Sequence, residues 1–151
     1  MIGKEIRIRG IVQGVGFRPA IWHLAHKHQL KGEVWNDGLG VAIHVVGDKR
    51  NIDAFIAQIP QHLPPLAVVE NIEVLTCQPK RHLDDFSIVA SQQNHFDTAI
   101  AADAATCSDC FADITDPNNR RYRYPFANCT HCGPRLSIVK TLPYDRQNTS
   151  M

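Results

Sequence analysis

Two closely spaced cysteine pairs constrain this chain most: Cys107-Ser-Asp-Cys110 and Cys129-Thr-His-Cys132, with eighteen residues between them. Four soft thiolates at that spacing can close a tetrahedron around one Zn²⁺ ion. A closed four-sulfur site leaves no open position for a reacting molecule, so the expected part of the metal is structural. His131 lies inside a pair and is expected in a loop or supporting role, because the cysteines already fill the site. The chain has five cysteines in all. Four metal ligands plus the spare Cys77 suit a reducing compartment better than disulfides, which would leave one thiol over. The pairs divide the chain into an apolar region before them and a metal-organised segment around them.

The charge balance narrows the partners. Charged residues make up 21% of the chain and the net charge is +1, so no excess argues for nucleic acid or an anionic membrane. The start, Met1-Ile-Gly-Lys-Glu-Ile6, has no apolar signal core, and no run approaches the roughly 20 apolar residues of a bilayer span. A cytoplasmic protein is expected.

Periodicity before the cysteines is that of a small mixed domain. Ile6, Ile8 and Val12 alternate with Arg7, Arg9 and Ile11, which predicts a strand over about Glu5–Gln13. Pro19 suits the first turn of a helix that runs to about His28 on Phe17, Ile21, Leu24 and Ala25. Glu33–Asn36, the turn signal Asp37-Gly38, and Val41, Ile43 and Val45 predict a hairpin. Asp48 is a candidate N-cap for a second helix carrying Ile52, Phe55, Ile56 and Ile59. Val69–Thr76 reads as a fourth strand and Phe86–Val89 as a short fifth. The order β-α-β-β-α-β with an extra strand predicts an α+β, ferredoxin-like sandwich with both helices on one face of an antiparallel sheet. The polar stretch Ser91–His95 opens a linker.

The loop Gly14-Val-Gly-Phe-Arg18 joins the first strand to the first helix. A glycine loop there points several backbone N–H groups at one spot, and with the helix N-terminus it makes an anion cradle. Arg18 adds a planar fork suited to phosphate or carboxylate. A nucleotide P-loop is excluded by the absence of G-x-x-x-x-G-K-[ST], and a dinucleotide fold by the missing third glycine and the antiparallel pattern. A plain strand–helix turn with a surface arginine is the competing reading.

Gly10-Ile-Val-Gln-Gly-Val-Gly-Phe-Arg18, and Gly32-Glu-Val-Trp-Asn36 followed by Gly40, resemble the two signature segments of acylphosphatases. The resemblance implies that the loop Gln13, Gly14, Val15, Gly16, Phe17 and Arg18 holds a phosphoryl group. It also implies that the Asn36 carboxamide orients the attacking water. Asp116-Pro-Asn-Asn-Arg-Arg-Tyr-Arg-Tyr-Pro-Phe126, Asn128-Cys-Thr-His-Cys-Gly-Pro-Arg135 and Leu142-Pro-Tyr-Asp-Arg146, with the cysteine pairs, resemble the finger region of the HypF carbamoyltransferases of nickel–iron hydrogenase maturation. That family converts carbamoyl phosphate and ATP to a carbamoyl adenylate and passes the carbamoyl group to a thiol of a HypE-type partner. The resemblance implies an acylphosphatase-like domain at 1–91, a linker at 92–98 and an incomplete finger segment at 99–151. The second set of cysteine pairs and the later domains of the family are absent from this sequence, so complete transfer is not expected of it alone.

The expected chemistry is hydrolysis of an acyl phosphate, carbamoyl phosphate foremost, with Arg18 and Asn36 as the catalytic pair and Cys107, Cys110, Cys129 and Cys132 holding structural zinc. The alternative is a module that binds or docks carbamoyl phosphate without hydrolysing it. Glu33 and Trp35, which depart from the usual acylphosphatase pattern, keep that alternative open. The run Arg120-Arg-Tyr-Arg-Tyr124 is short and reads as a solvated face of the metal loop rather than a nucleic-acid patch, and Arg120, Arg121, Arg123 and Arg135 can offset the negative charge of four thiolates. His23, His26 and His28 do not share one helix face and read as ordinary helix residues, and Trp22 and Phe55 as packing residues.

Overall fold

A computed structural model describes residues 1–79, 83–91, 104–129, 132–133, 139–141 and 145–148. Five strands and two helices form the first part: β1 Ile2–Ile11, α1 Phe17–Lys27, β2 Lys31–Asp37, β3 Gly40–Gly47, α2 Lys49–Gln58, β4 Val68–Cys77 and β5 Phe86–Ile88. The sheet order is β4-β1-β3-β2-β5. The first three contacts are antiparallel, and β5 lies parallel to β2. The α+β, ferredoxin-like sandwich expected from the sequence is the fold observed.

The register explains the layering. Ile6 lies opposite Ile43, which lies opposite Val34, and all three point to the same face. Side chains alternate along a strand, so Ile8 and Val41 follow on that face. Phe17, Ile21 and Leu24 of α1 and Ile52 and Phe55 of α2 close over it in one buried cluster. Phe55 and Ile8 are fully enclosed. Asn36 is opposite Val41, so it faces the helix layer at the end of the sheet where β1 runs into α1.

Several edges differ from the sequence reading. β1 begins at Ile2 because Ile2 and Gly3 pair with Gly47 and Val46, and its pairing with β4 shifts register at Arg9/Gly10 before the strand ends at Ile11. The hairpin turn proper is Gly38-Leu39, with Asp37 retained as the last residue of β2. Asp37 accepts a hydrogen bond from the Leu39 N–H at 2.9 Å and an ion pair from Arg7. Asp48 occupies the N-cap of α2, where its backbone carbonyl, not its side chain, takes the Ile52 N–H. The expected linker at 92–98 lies outside the described residues.

Past Ala104 one α-helix is described, α3 Ser108–Thr115, with Cys107 at its N-cap, and a short 3-10 turn at Arg146–Asn148. Asp113 then ties down the following loop, accepting hydrogen bonds from Asn119 and from Arg121, both at 2.8 Å. Arg121 is therefore paired to a carboxylate of its own segment. Tyr122, Tyr124 and Phe126 are exposed on the same loop.

Candidate functional site: a glycine cradle and a four-thiol cluster

The β1–α1 loop is shaped by two left-handed residues. Gly14 has φ 73° and Gly16 has φ 78°, and Gly16 is the N-cap of α1. Side chains with a Cβ avoid that region, so glycine lets the loop curl and present its backbone. Gln13 is buried, and its Nε2 donates to the carbonyls of Asp37 and Gly40 at 2.7 and 2.8 Å. Its side chain thereby staples the loop to the hairpin that carries Asn36. Val15 points into the core with no exposure. Gln13, Val15 and Phe17 are buried, and Gly14, Gly16, Phe17 and Arg18 line a cavity of about 290 Å³.

Asn36 lines the same cavity and is 1% exposed. Arg18 also lines it, with Nη1 donating to Ser91 Oγ at 3.3 Å and Nη2 to Asp145 Oδ1 at 2.9 Å. The two ends of that ion pair are 19% and 22% exposed, so it is partly shielded from solvent. Sequence reasoning did not anticipate Ser91 or Asp145, because neither lies near Arg18 in the chain.

The finger segment adds Asn128 and Cys129 to the cavity wall. Gly133, at φ 69°, packs against the loop, and a Cβ there would stand 3.1 Å from the Gly14 carbonyl oxygen. The Asn128 Nδ2 is shielded from water and makes no hydrogen bond among the described residues.

Behind that wall the four expected thiols converge. All four sulfurs lie within 4.8 Å of one another. Cys107–Cys129 is 3.5 Å, and both Cys110–Cys132 and Cys129–Cys132 are 3.9 Å. A tetrahedron with metal–sulfur bonds of about 2.3 Å has edges near 3.8 Å, so this donor set fits a four-coordinate thiophilic ion. Disulfides, at about 2.05 Å, do not fit. The Cys110 backbone N–H holds the Cys107 thiol below its ordinary value, whereas burial pushes the Cys110 thiol up. A bound cation favours the thiolate at all four positions and removes that conflict.

The remaining sequence candidates have structural placements. His23 is exposed, His26 contacts the Trp22 ring and Asp85, and His28 bridges to Gln58 of α2. Cys77 ends β4 away from the quartet, which is the only metal-ligand group among the described residues. His131 and Arg135 lie outside the described residues.

Strand order, loop and finger together define an acylphosphatase-like domain joined to a four-cysteine module. Residues 4–88 match the Acylphosphatase family and residues 106–139 the HypF finger. The chain belongs to the acylphosphatase family and carries a HypF finger. It is 45% identical over 146 residues to the probable carbamoyltransferase HypF of Methanocaldococcus jannaschii, covering 95% of this chain and 19% of that protein. It superimposes on a crystal structure of full-length HypF in a phosphate- and nucleotide-bound form with a TM-score of 0.89 and 45% identity, over 99% of this chain and 20% of that one. The acylphosphatase of Bacillus subtilis aligns over 59% of this chain and 99% of its own, with a TM-score of 0.55 and 32% identity. The chain therefore spans about a fifth of the length of the HypF proteins it matches. Among the described residues no helix is long and apolar enough to cross a membrane.

Proposed function

We propose that this chain binds and hydrolyses an acyl phosphate, carbamoyl phosphate foremost, as part of a HypF-type carbamoyltransferase. The observation that carries the reading is the convergence of Gly14, Gly16, Arg18 and Asn36 on one small cavity. In this reading the loop amides and the Arg18 guanidinium hold the phosphoryl oxygens and take up charge in the transition state. Asn36 both accepts and donates, so it can hold a water in line with phosphorus without adding negative charge. Water attacks phosphorus, the bond from phosphorus to the acyl oxygen breaks, and carbamate and inorganic phosphate leave. In a longer chain the carbamoyl group would go on to an adenylate and then to a thiol of a HypE-type partner. The quartet would hold Zn²⁺ as a structural ion, and the cytoplasm, where thiols stay reduced, is the proposed compartment.

Phosphate release from carbamoyl phosphate tests the reading. Arg18→Ala is expected to lower the rate by about 10²–10³, the usual cost of removing one transition-state donor. Asn36→Ala should abolish turnover in a folded protein. Normal turnover in Arg18→Ala would refute its role. The second reading, a binding module without hydrolysis, is supported by the existing ion pair of Arg18 with Asp145, which a phosphate must share or displace. Phosphate binding without release of product would select it.

A further inference from the structure

We infer that Asp145 is an autoinhibitory carboxylate: it holds the Arg18 guanidinium while the cradle is empty, and a phosphoryl group binding there displaces it and frees the turn that carries it. The inference rests on the phosphoryl reading of the cradle above and adds how that site is controlled. Arg18 lines the cavity together with Gly14 and Gly16. Its two terminal nitrogens have different partners. Nη1 donates to the neutral Ser91 Oγ at 3.3 Å, whereas Nη2 donates to the charged Asp145 Oδ1 at 2.9 Å. A carboxylate and a phosphoryl group offer a guanidinium the same thing, anionic oxygens that match its planar fork. The two therefore compete for Nη2, and like charges brought together on one cation repel. Ser91 is neutral and can keep its bond while the anions exchange. The partly exposed pair with Asp145 is a weak holder. A phosphoryl group adds the backbone donors of the glycine loop at the start of α1 to the guanidinium, so it is the stronger ligand.

Asp145 does not leave alone, because a hydrogen-bonded turn presents it. The Asn148 N–H donates to the Asp145 carbonyl at 2.9 Å, and the Lys140 N–H donates to the Asn148 carbonyl at 2.9 Å. The ion pair thus tethers this turn, past the thiol quartet, to the first turn of α1, 127 positions earlier in the chain. Docking of Asp145 and binding of a phosphoryl group use the same nitrogen, so each weakens the other by the same factor. Occupancy of the cradle is thereby passed to the segment beyond the quartet as release.

Inorganic phosphate is the probe, added to the zinc-loaded full chain at an ionic strength fixed with chloride, so that screening of the pair stays constant. Hydrogen exchange at the Lys140 and Asn148 amides and phosphate affinity by calorimetry are measured on the wild type and on Asp145→Asn. In the wild type, saturating phosphate is expected to raise exchange at both amides about three- to fivefold, the factor by which a partly exposed pair holds its partners. Asp145→Asn should exchange at that faster rate before phosphate is added and change less than about twofold on its addition. It should also bind phosphate about three- to fivefold tighter than the wild type. Unchanged or slower exchange in the phosphate-bound wild type, an equal rise in Asp145→Asn, or no gain in its phosphate affinity would overturn the assignment and leave the cradle reading standing. A folded wild type that binds no phosphate would overturn the cradle reading itself, and this inference with it.

Discussion

Asp145 and Arg18 form an ion pair that a phosphate at the proposed site would have to share or displace. The ion pair joins the finger segment to the first turn of α1, and its partial burial limits screening. A phosphate arriving at Arg18 meets a carboxylate already there. Asp145→Asn is therefore expected to tighten inorganic phosphate binding about three- to fivefold, in line with a partly exposed pair worth no more than about 1 kcal/mol. Unchanged or weaker binding by calorimetry would show that Asp145 orients the arginine rather than competes for it. Gln13 acts on stability instead. Gln13→Ala leaves the Asp37 and Gly40 carbonyls without their buried donor, and a loss of about 1–3 kcal/mol is expected in urea denaturation. The role of Arg18 as an anion ligand was suggested by its place after a glycine loop. Its partners were not, because a guanidinium's choice among distant carboxylates depends on how the chain returns.

At the scale of elements, the loop and the finger's knuckle form one contact. Gly133→Ala would put a Cβ against the Gly14 carbonyl and force alanine into a left-handed conformation, which costs about 1 kcal/mol or more. Backbone amides of residues 12–16 are expected to exchange faster with deuterium in that variant, and unchanged exchange would mean that the knuckle does not brace the loop. Metal binding at the four-thiol cluster should have a defined pH response. Thiols must lose their protons to bind metal, and burial raises the Cys110 thiol, so protons compete increasingly as pH falls. Zinc release to a chromogenic chelator should be faster at pH 5.5 than at pH 7.5, and the reverse order would contradict thiolate ligation. The elements were legible where one periodicity ruled. β3 was seen only through Val41, Ile43 and Val45, although all eight of its residues are buried at the centre of the sheet. The position of β5 beside β2 carried no local signal, since parallel pairing across such a distance is decided by the crossover and not by the strand.

For the whole molecule, the two parts share a cavity, so a metal that touches no substrate should still affect ligand binding. Chelating zinc from the intact chain is expected to weaken inorganic phosphate binding severalfold while the sheet domain keeps its cooperative unfolding transition. Full affinity in a metal-free chain would separate the finger from the site. The domain itself depends on its core: Phe55, fully enclosed between α2 and the sheet, should cost about 3–5 kcal/mol as Phe55→Ala in the same denaturation assay.

The sequence by itself determined the βαββαβ order, the glycine loop with Arg18, the placement of Asn36 at a strand end, and the grouping of four cysteines. Each of these is written in local spacing: period two or period 3.6, a turn signal, or a ligand pair two residues apart. Only the tertiary structure decided that the finger packs on the cradle, that Asp145 and Ser91 take Arg18, and that Asn128 completes the wall. Those contacts join residues between 73 and 127 positions apart in the case of Arg18. They arise from how two separately organised segments pack together, and no short-range pattern in a chain encodes such a meeting.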